Sequence, residues 1–382
     1  MVRALPRSLD LPVFPWDTLA DAKRQCREHP QGMIDLSVGS PVDEVAQCAR
    51  QGLEAAWNSH SYPTVAGTDE VRHAIATWCR EERGATVVPE ECFPTIGSKE
   101  LVANLGWQLG LQPGDTVVYP DIAYPTYHIC AVVAGARPYA VPMDNLDMWP
   151  EEAQIVWLNS PSNPTGHVLD VDTLQTMIAW ARQRGAIIVS DECYAPLAWE
   201  EPWASQGVPC LISDEVCHGD MRNLLMVYSA SKQSNVAGYR ASFMVGDREL
   251  INAVIGVRRH CGFMAPAPTQ AALHKILQDK THVSAQKEIY QYRRELLLSA
   301  LRNAGLELDS HCVAGLYLWM RASTKGVDGR DIVARLATLG ILVAPGEFYG
   351  KVSKDYVRIA LTASNEKIEQ AVERLEKNRI NF

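Results

Sequence analysis

Apolar positions along this chain fall into two rhythms. Short continuous runs occur at 116–120 (TVVYP), 153–159 (AQIVWLN), 186–192 (AIIVSDE), 224–229 (LLMVYS) and 241–247 (ASFMVGD). Runs of this kind are expected of strands buried on both faces. Between several of them apolar residues recur at helical spacing, as in 171–185. The segment 68–84 has the same spacing, with Val71, Ile75 and Trp78 on one face, Asp69 and Glu70 in the first turn and Gly84 at the end. Acidic residues at the start and glycine at the stop are the signals of a helix. Strands alternating with helices predict an α/β fold with a mostly parallel sheet, whose ligands gather at the carboxyl ends of the strands.

The pattern changes after about residue 255. Long helical stretches (TQAALHKILQ, EIYQYRRELLLSALRNAG) are followed by GLYLWMRA and YVRIALTAS, whose alternation suits a sheet with one exposed face. A smaller α+β domain is expected over 260–382, after a large domain over 36–259. An N-terminal arm, 1–35, rich in proline and aromatic residues (Pro12, Phe14, Pro15, Trp16), is expected to join the smaller domain or cross another subunit.

Composition narrows the functional classes. In 382 residues, 47% are hydrophobic and 21% charged, with a net charge of −9 and no basic run. A general affinity for nucleic acid is therefore not expected, and an anionic ligand has to be held by local arginines. The ten cysteines form no CxxC pair, and no apolar segment reaches signal-peptide or membrane-spanning length. A cytoplasmic protein with free thiols and no membrane partner is the expectation. The ten histidines show no HExxH or clustered spacing, so no metal is expected.

Five polar clusters lie at or just beyond predicted strand ends. TIGSKE (95–100) opens a helix and puts the amides of Ser98 and Lys99 at its N-terminus, a place suited to an anion. PDIAYPTY (120–127) supplies Tyr124 and Tyr127, and LNSPSNPTGHVL (158–169) holds Asn163 in a proline- and glycine-defined turn. VSDECYAPL (189–197) ends an apolar strand with Asp191 and Glu192, followed by Tyr194. A carboxylate there needs a partner or its pKa rises. YSASKQSNVAGYR (228–240) places Lys232 after a buried strand, with Ser229, Ser231 and Arg240 about it. Arg358 sits inside the apolar strand DYVRIAL. Each cluster alone has an ordinary structural explanation. Together they supply hydroxyls, helix amides and an arginine for a phosphate, a buried acid for a ring nitrogen, and an amine for a Schiff base. This is the inventory that pyridoxal phosphate requires.

The residues NPTG (163–166), DECY (191–194), SASKQSNVAGYR (229–240) and VRIAL (357–361) give the chain a clear resemblance to the fold type I pyridoxal-phosphate enzymes, specifically the class I/II aminotransferases. The resemblance implies a large domain with a mostly parallel seven-stranded sheet between helices, and a smaller α+β domain. It implies Lys232 as the Schiff-base lysine and proton carrier, Asp191 as partner of the pyridinium, and Asn163 and Tyr194 as donors to the phenolic oxygen. Tyr124 would stack on the ring, while Ser98, Ser229, Arg240 and the amide of Lys99 would hold the phosphate. Arg358, with Gly39 and Asn163, would bind the substrate carboxylate. Tyr62 would reach the phosphate of a neighbouring subunit, which implies a homodimer. One departure is Ser242, where the family usually has glycine.

Within the family, LPVFPWDTL, DLSVGSPVD, GSKELVANL, GVRRHCGFMAPAPTQAA and PGEFYG are similar to the N-succinyldiaminopimelate aminotransferases of bacterial lysine synthesis. That resemblance implies N-succinyl-LL-2,6-diaminopimelate as donor and 2-oxoglutarate as acceptor, with Arg258, Arg259 and Lys99 as candidates for the distal carboxylates. Alternatives that share the cofactor set are another amino-acid aminotransferase, for alanine, aspartate or aromatic donors, and a carbon–sulfur β-lyase. A ligand-sensing regulator on this fold would need a basic DNA-binding segment, which does not precede residue 35.

Overall fold

Alternate residues of the central strands pack into two separate cores. Val118, Val156, Ile188 and Met226 belong to one, and Val117, Ile155, Val189 and Leu225 to the other. Both faces of the sheet are thus dry, which is why its strands read as unbroken apolar runs. The computed structural model describes residue 9 and residues 11–378. Residues 1–8 and 10 of the expected arm, and 379–382 at the other terminus, lie outside the described residues.

The main sheet has seven strands: β2 (Cys92–Ile96), β3 (Thr116–Pro120), β4 (Arg137–Val141), β5 (Ala153–Asn159), β6 (Ile187–Asp191), β7 (Leu224–Ser229) and β8 (Ala241–Gly246). Their spatial order is β2-β8-β7-β6-β5-β3-β4, and β8 alone runs against its neighbours. The two strands that give no run in the sequence, β2 and β4, are the two edges of the sheet. Each contains a proline, Pro94 and Pro138, which an edge tolerates and a central strand does not.

Helices cover this sheet. They include α1 (Gln47–Ala55), α2 (Asp69–Arg83), α3 (Ser98–Gln108), α4 (Val171–Arg184), α5 (Arg248–Cys261), α6 (Ala267–Gln278) and α7 (Thr281–Asn303). In α2 the Thr68 side chain accepts from the Val71 amide at one end, and Gly84 closes the other at φ 61°. Gly84 is the stop read from the sequence, and the helix starts at the acidic pair Asp69 and Glu70, with the Thr68 cap added by the structure. The expected division at 259/260 falls within α5, and α6 packs against α1 and α2.

A four-stranded antiparallel sheet of order β12-β13-β10-β9 forms the smaller body from β9 (Leu306–Leu308), β10 (Tyr317–Ala322), β12 (Ala344–Pro345) and β13 (Tyr356–Ala360). Near the amino end, β1 (Ile34–Asp35) pairs in parallel with β11 (Ile341–Leu342). The arm lies on the same body, where the Trp16 ring meets Phe348 at 5.3 Å and the Trp16 indole donates to the Ser37 carbonyl at 3.4 Å. No described helix is long and apolar enough to cross a membrane.

Candidate active site

Strand direction gathers the site. The ends of β2, β3, β5, β6 and β7 point to one edge of the sheet, and β8 begins where β7 ends. The connection from Ser229 to Ala241 therefore stays at that edge and carries Lys232. Ser229 Oγ lies 2.8 Å from Ser231 Oγ and also accepts the Ser231 amide at 3.2 Å. Arg240 takes a left-handed conformation at φ 59° and its Nη1 donates to the Ala237 carbonyl at 2.8 Å. Its guanidinium lies so close to Gly97 that a Cβ there would overlap it, and Gly97 itself has φ 77°. The next residue, Ser98, starts α3 with no side-chain cap. Hydroxyls, a guanidinium and free helix amides thus converge on one spot, the makings of an anion cradle.

Beside it, Asp191 ends β6 at 6% exposure. Its carboxylate accepts from the Tyr127 hydroxyl at 2.9 Å and the Cys193 amide at 3.2 Å. Burial pushes its pKa up, and these bonds only partly oppose the rise. Asn159 Nδ2 donates to the Asp191 carbonyl at 2.7 Å, while its Oδ1 accepts the Asn163 amide at 2.7 Å. This ties the ends of β5 and β6 to the Asn163 turn. Glu192 has a different fate: it is buried against Arg83 at 2.7 Å and accepts the Leu211 amide at 2.9 Å. It belongs to the scaffold.

The smaller body contributes the second half. Arg358 is 2% exposed, and its Nη1 donates to Asn163 Oδ1 at 2.9 Å and its Nη2 to the Ser37 carbonyl at 2.7 Å. Both partners are neutral, and Nε has none. The guanidinium stacks 3.9 Å from the Tyr317 ring centre, with Tyr349 at 4.9 Å and Trp16 at 5.8 Å. The Tyr317 hydroxyl rests on Gly39, where any Cβ would collide with it, and lies 3.3 Å from the Tyr194 hydroxyl. Lys232 Nζ donates to the Gly39 carbonyl. Burial pulls the Lys232 ammonium below its ordinary pKa, with Tyr317 opposing and Arg358 adding to the depression. Burial would raise Tyr317, but Arg358, Lys232 and the Tyr194 hydroxyl outweigh it and lower the phenol.

Most residues singled out from the sequence meet here: Gly39, Ser98, Asn163, Asp191, Tyr194, Ser229, Lys232, Arg240 and Arg358. Tyr124 stands at the rim, its ring edge-on to Tyr127 at 5.9 Å. The exposed Lys99 reaches over Tyr124 at 6.0 Å and Phe14 at 5.6 Å. Tyr62 is 93% exposed and stands apart from these contacts. Arg258 is a correction: it is fully buried and paired with both oxygens of Glu100 at 3.0 and 2.9 Å, so it offers nothing to a substrate. Arg259 is exposed on α5. Ser242 fills its strand position by bonding Thr95 Oγ at 2.5 Å. Sequence reasoning gave no role to Tyr317, Tyr349 or the Tyr127–Asp191 bond. The one exposed face expected of GLYLWMRA is not there, since Tyr317, Leu318, Trp319 and Met320 are all buried, and nothing local reveals what Tyr317 faces.

The family model described as aminotransferase class I and II matches residues 31–375. The 4-dedimethylamino-4-oxo-anhydrotetracycline transaminase OxyQ of Streptomyces rimosus is 45% identical over 367 residues, covering 96% of this chain and 99% of that protein. A Mycobacterium tuberculosis protein named "Probable aminotransferase Rv1178" is 47% identical over 370 residues, covering 96% and 86%. Among solved structures, a "probable N-succinyldiaminopimelate aminotransferase" from Thermus thermophilus matches with a TM-score of 0.84 at 28% identity, covering 95% and 99%.

Proposed function

The chain belongs to the class I and II aminotransferases, whose cofactor is pyridoxal 5′-phosphate, and from that premise we propose that it moves the amino group of N-succinyl-LL-2,6-diaminopimelate to 2-oxoglutarate, in lysine synthesis. The residues present fit the cofactor. Asp191 is a buried acid with neutral partners, suited to a pyridinium, and the Gly97–Arg240 contact leaves a cradle suited to a phosphate. When bound, the cofactor supplies an electron sink for the bonds at the donor's Cα.

The protein's own groups divide the remaining work. Lys232 would hold the cofactor through its amine and carry the proton at the donor's Cα, a task that suits an ammonium held below its ordinary pKa. Ser98, Ser229, Arg240 and the Lys99 amide hold the phosphate. Asn163 and Tyr194 would donate to the phenolic oxygen, and Tyr124 would stack on the ring. Tyr62, bare on its own chain, reaches the partner's phosphate in a homodimer. Arg358 takes the α-carboxylate between Asn163 and the backbone at Ser37 and Gly39.

The observation that carries this reading is Arg358, a fully desolvated guanidinium with neutral partners and an unpartnered Nε. A buried cation in that condition calls for an anion, and the shared substrate feature is a carboxylate. For the distal succinyl group, the exposed Lys99 beside Tyr124 is the best-placed cation. A second reading rests on the 45% identity to OxyQ, whose name describes a ketone on a polycyclic skeleton. A donor panel on the holoenzyme with 2-oxoglutarate tests the first, comparing N-succinyldiaminopimelate, N-acetylornithine, alanine, aspartate and aromatic amino acids. The succinylated donor is expected to have the highest kcat/KM. Preference for any other donor would sink the substrate assignment, and pyruvate released from cystathionine would sink transamination itself.

A further inference from the structure

Away from the cleft, three side chains of different chemistry converge. Cys48 lies in the first turn of α1, Asp279 follows α6, and His282 stands in the first turn of α7. One donor atom from each lies within 4.8 Å of the others, the only such group among the described residues that also contains a thiol and an imidazole. All three are half-buried. Cys48 Sγ is 3.8 Å from His282 Nδ1, and Asp279 Oδ2 is 3.5 Å from the same nitrogen.

These separations are long for direct bonds, since a charged N–H···O contact closes to about 2.7–2.9 Å. They are near the edges of a coordination tetrahedron. Metal bonds of about 2.3 Å to sulfur and about 2.0 Å to nitrogen or oxygen leave the ligand atoms roughly 3.3–3.6 Å apart. The remaining atoms of the two side chains are already committed. His282 Nε2 lies 2.8 Å from Ser234 Oγ, and with its proton on that bond Nδ1 presents a lone pair to the cluster. Asp279 Oδ1 accepts the Thr281 amide at 2.8 Å, which leaves Oδ2 for an ion.

We propose that Cys48, Asp279 and His282 form a binding site for one zinc ion per chain, with water as the fourth ligand. Mixed sulfur, nitrogen and oxygen donors select a borderline-soft cation over magnesium or calcium. The ion displaces the thiol proton to solvent and joins α1 to the α6–α7 junction. Through Ser234 it also braces the connection that carries Lys232 two residues earlier. The absence of any contiguous metal motif is no obstacle, because the ligands come from positions 48, 279 and 282.

The test uses the full-length holoenzyme, stripped with a chelator and titrated with zinc or with cobalt(II). One equivalent of cobalt is expected to give intense red-region bands of tetrahedral coordination and a thiolate charge-transfer band. Cys48→Ser and Asp279→Asn should each weaken zinc binding about 100-fold, and Ser234→Ala about 10-fold, while Cys261→Ser, which removes an exposed thiol, changes nothing. In the unaltered chain, zinc should also protect Cys48 from alkylation, as read by peptide mass spectrometry. No cobalt–thiolate band, no protection of Cys48, or a band lost in Cys261→Ser but kept in Cys48→Ser would overturn the proposal.

Discussion

Asp191 is where a single residue's environment makes the sharpest forecast. Burial raises its pKa, so without cofactor the fold binds its proton more tightly than the unfolded chain does. The stability it contributes is then fully present below the ordinary aspartate pKa and is lost as pH rises through the raised value. Asp191→Asn removes that loss while keeping an acceptor for Tyr127. The cofactor-free variant should melt higher than the cofactor-free wild type at neutral pH, by about 1–3 kcal/mol, with the gap closing on acidification. With cofactor the order should reverse, since the pyridinium loses its counter-charge. Calorimetry of both forms across pH checks this, and a wild-type advantage in the cofactor-free form at neutral pH would refute it. Tyr317→Phe makes a second forecast. The lowered phenol supports the Lys232 ammonium, so its loss should depress Lys232 further. The Lys232-dependent limb of the kcat/KM profile should move to lower pH and the maximum fall about 10-fold, the size of about one pKa unit of lost charge support. An unmoved limb would leave Tyr317 a packing residue. Asp191, Lys232 and Arg358 were legible because a charge at the end of, just beyond or inside an apolar run is conspicuous in one dimension. Tyr317 was not, because what it faces comes from positions 39, 194 and 232. Arg258 misled for the same reason: Glu100, its partner, sits on a different helix.

At the scale of elements, strand and helix ends do most of the positioning. Arg83, last residue of α2, is buried with Glu192 beyond β6 and also donates to the Val208 and Pro209 carbonyls at 3.1 and 3.3 Å. Arg83→Met strands the Glu192 carboxylate in a dry interior and should cost about 3–5 kcal/mol in urea unfolding of the cofactor-free protein. Adding Glu192→Gln should recover part of that, and strictly additive losses would rule out the coupling. The five central strands were readable almost to the residue, because burial on both faces leaves no polar interruption. The edge strands β2 and β4 were not, since one side of each has no partner and proline is allowed. Helix α2 was readable at both ends because its acidic first turn and its stop are local chemistry. The N-terminus of α3 was readable as a position, but the fit of Arg240 against Gly97 depends on a packing that only the folded chain has.

For the whole molecule, the proposed homodimer would place Tyr62 of one chain in the site of another. That arrangement predicts complementation. A Lys232→Ala chain and a Tyr62→Ala chain, each impaired alone, should regain about a quarter of wild-type activity when unfolded and refolded together. Random pairing makes half of the dimers hybrid, and each hybrid holds one site with both residues intact. Activity no greater than the average of the two parents would show that each chain completes its own site.

The parallel pair β1–β11 is only two residues long, yet it settles which body the segment around Ser37 and Gly39 travels with. Asp191 and Lys232 stand on the rim of the large sheet, whereas Arg358, Tyr317 and the Ser37 carbonyl ride with the smaller one. On the proposed reading, a molecule that carries both an amine and an adjacent carboxylate would tie the two bodies together like a buckle. A plain amine would grip one side and leave the other loose. Discrimination between amino acids and amines would then depend on how the two bodies are held together, and lengthening the few residues between β1 and Gly39 should lower the kcat/KM ratio of an amino acid over its decarboxylated amine.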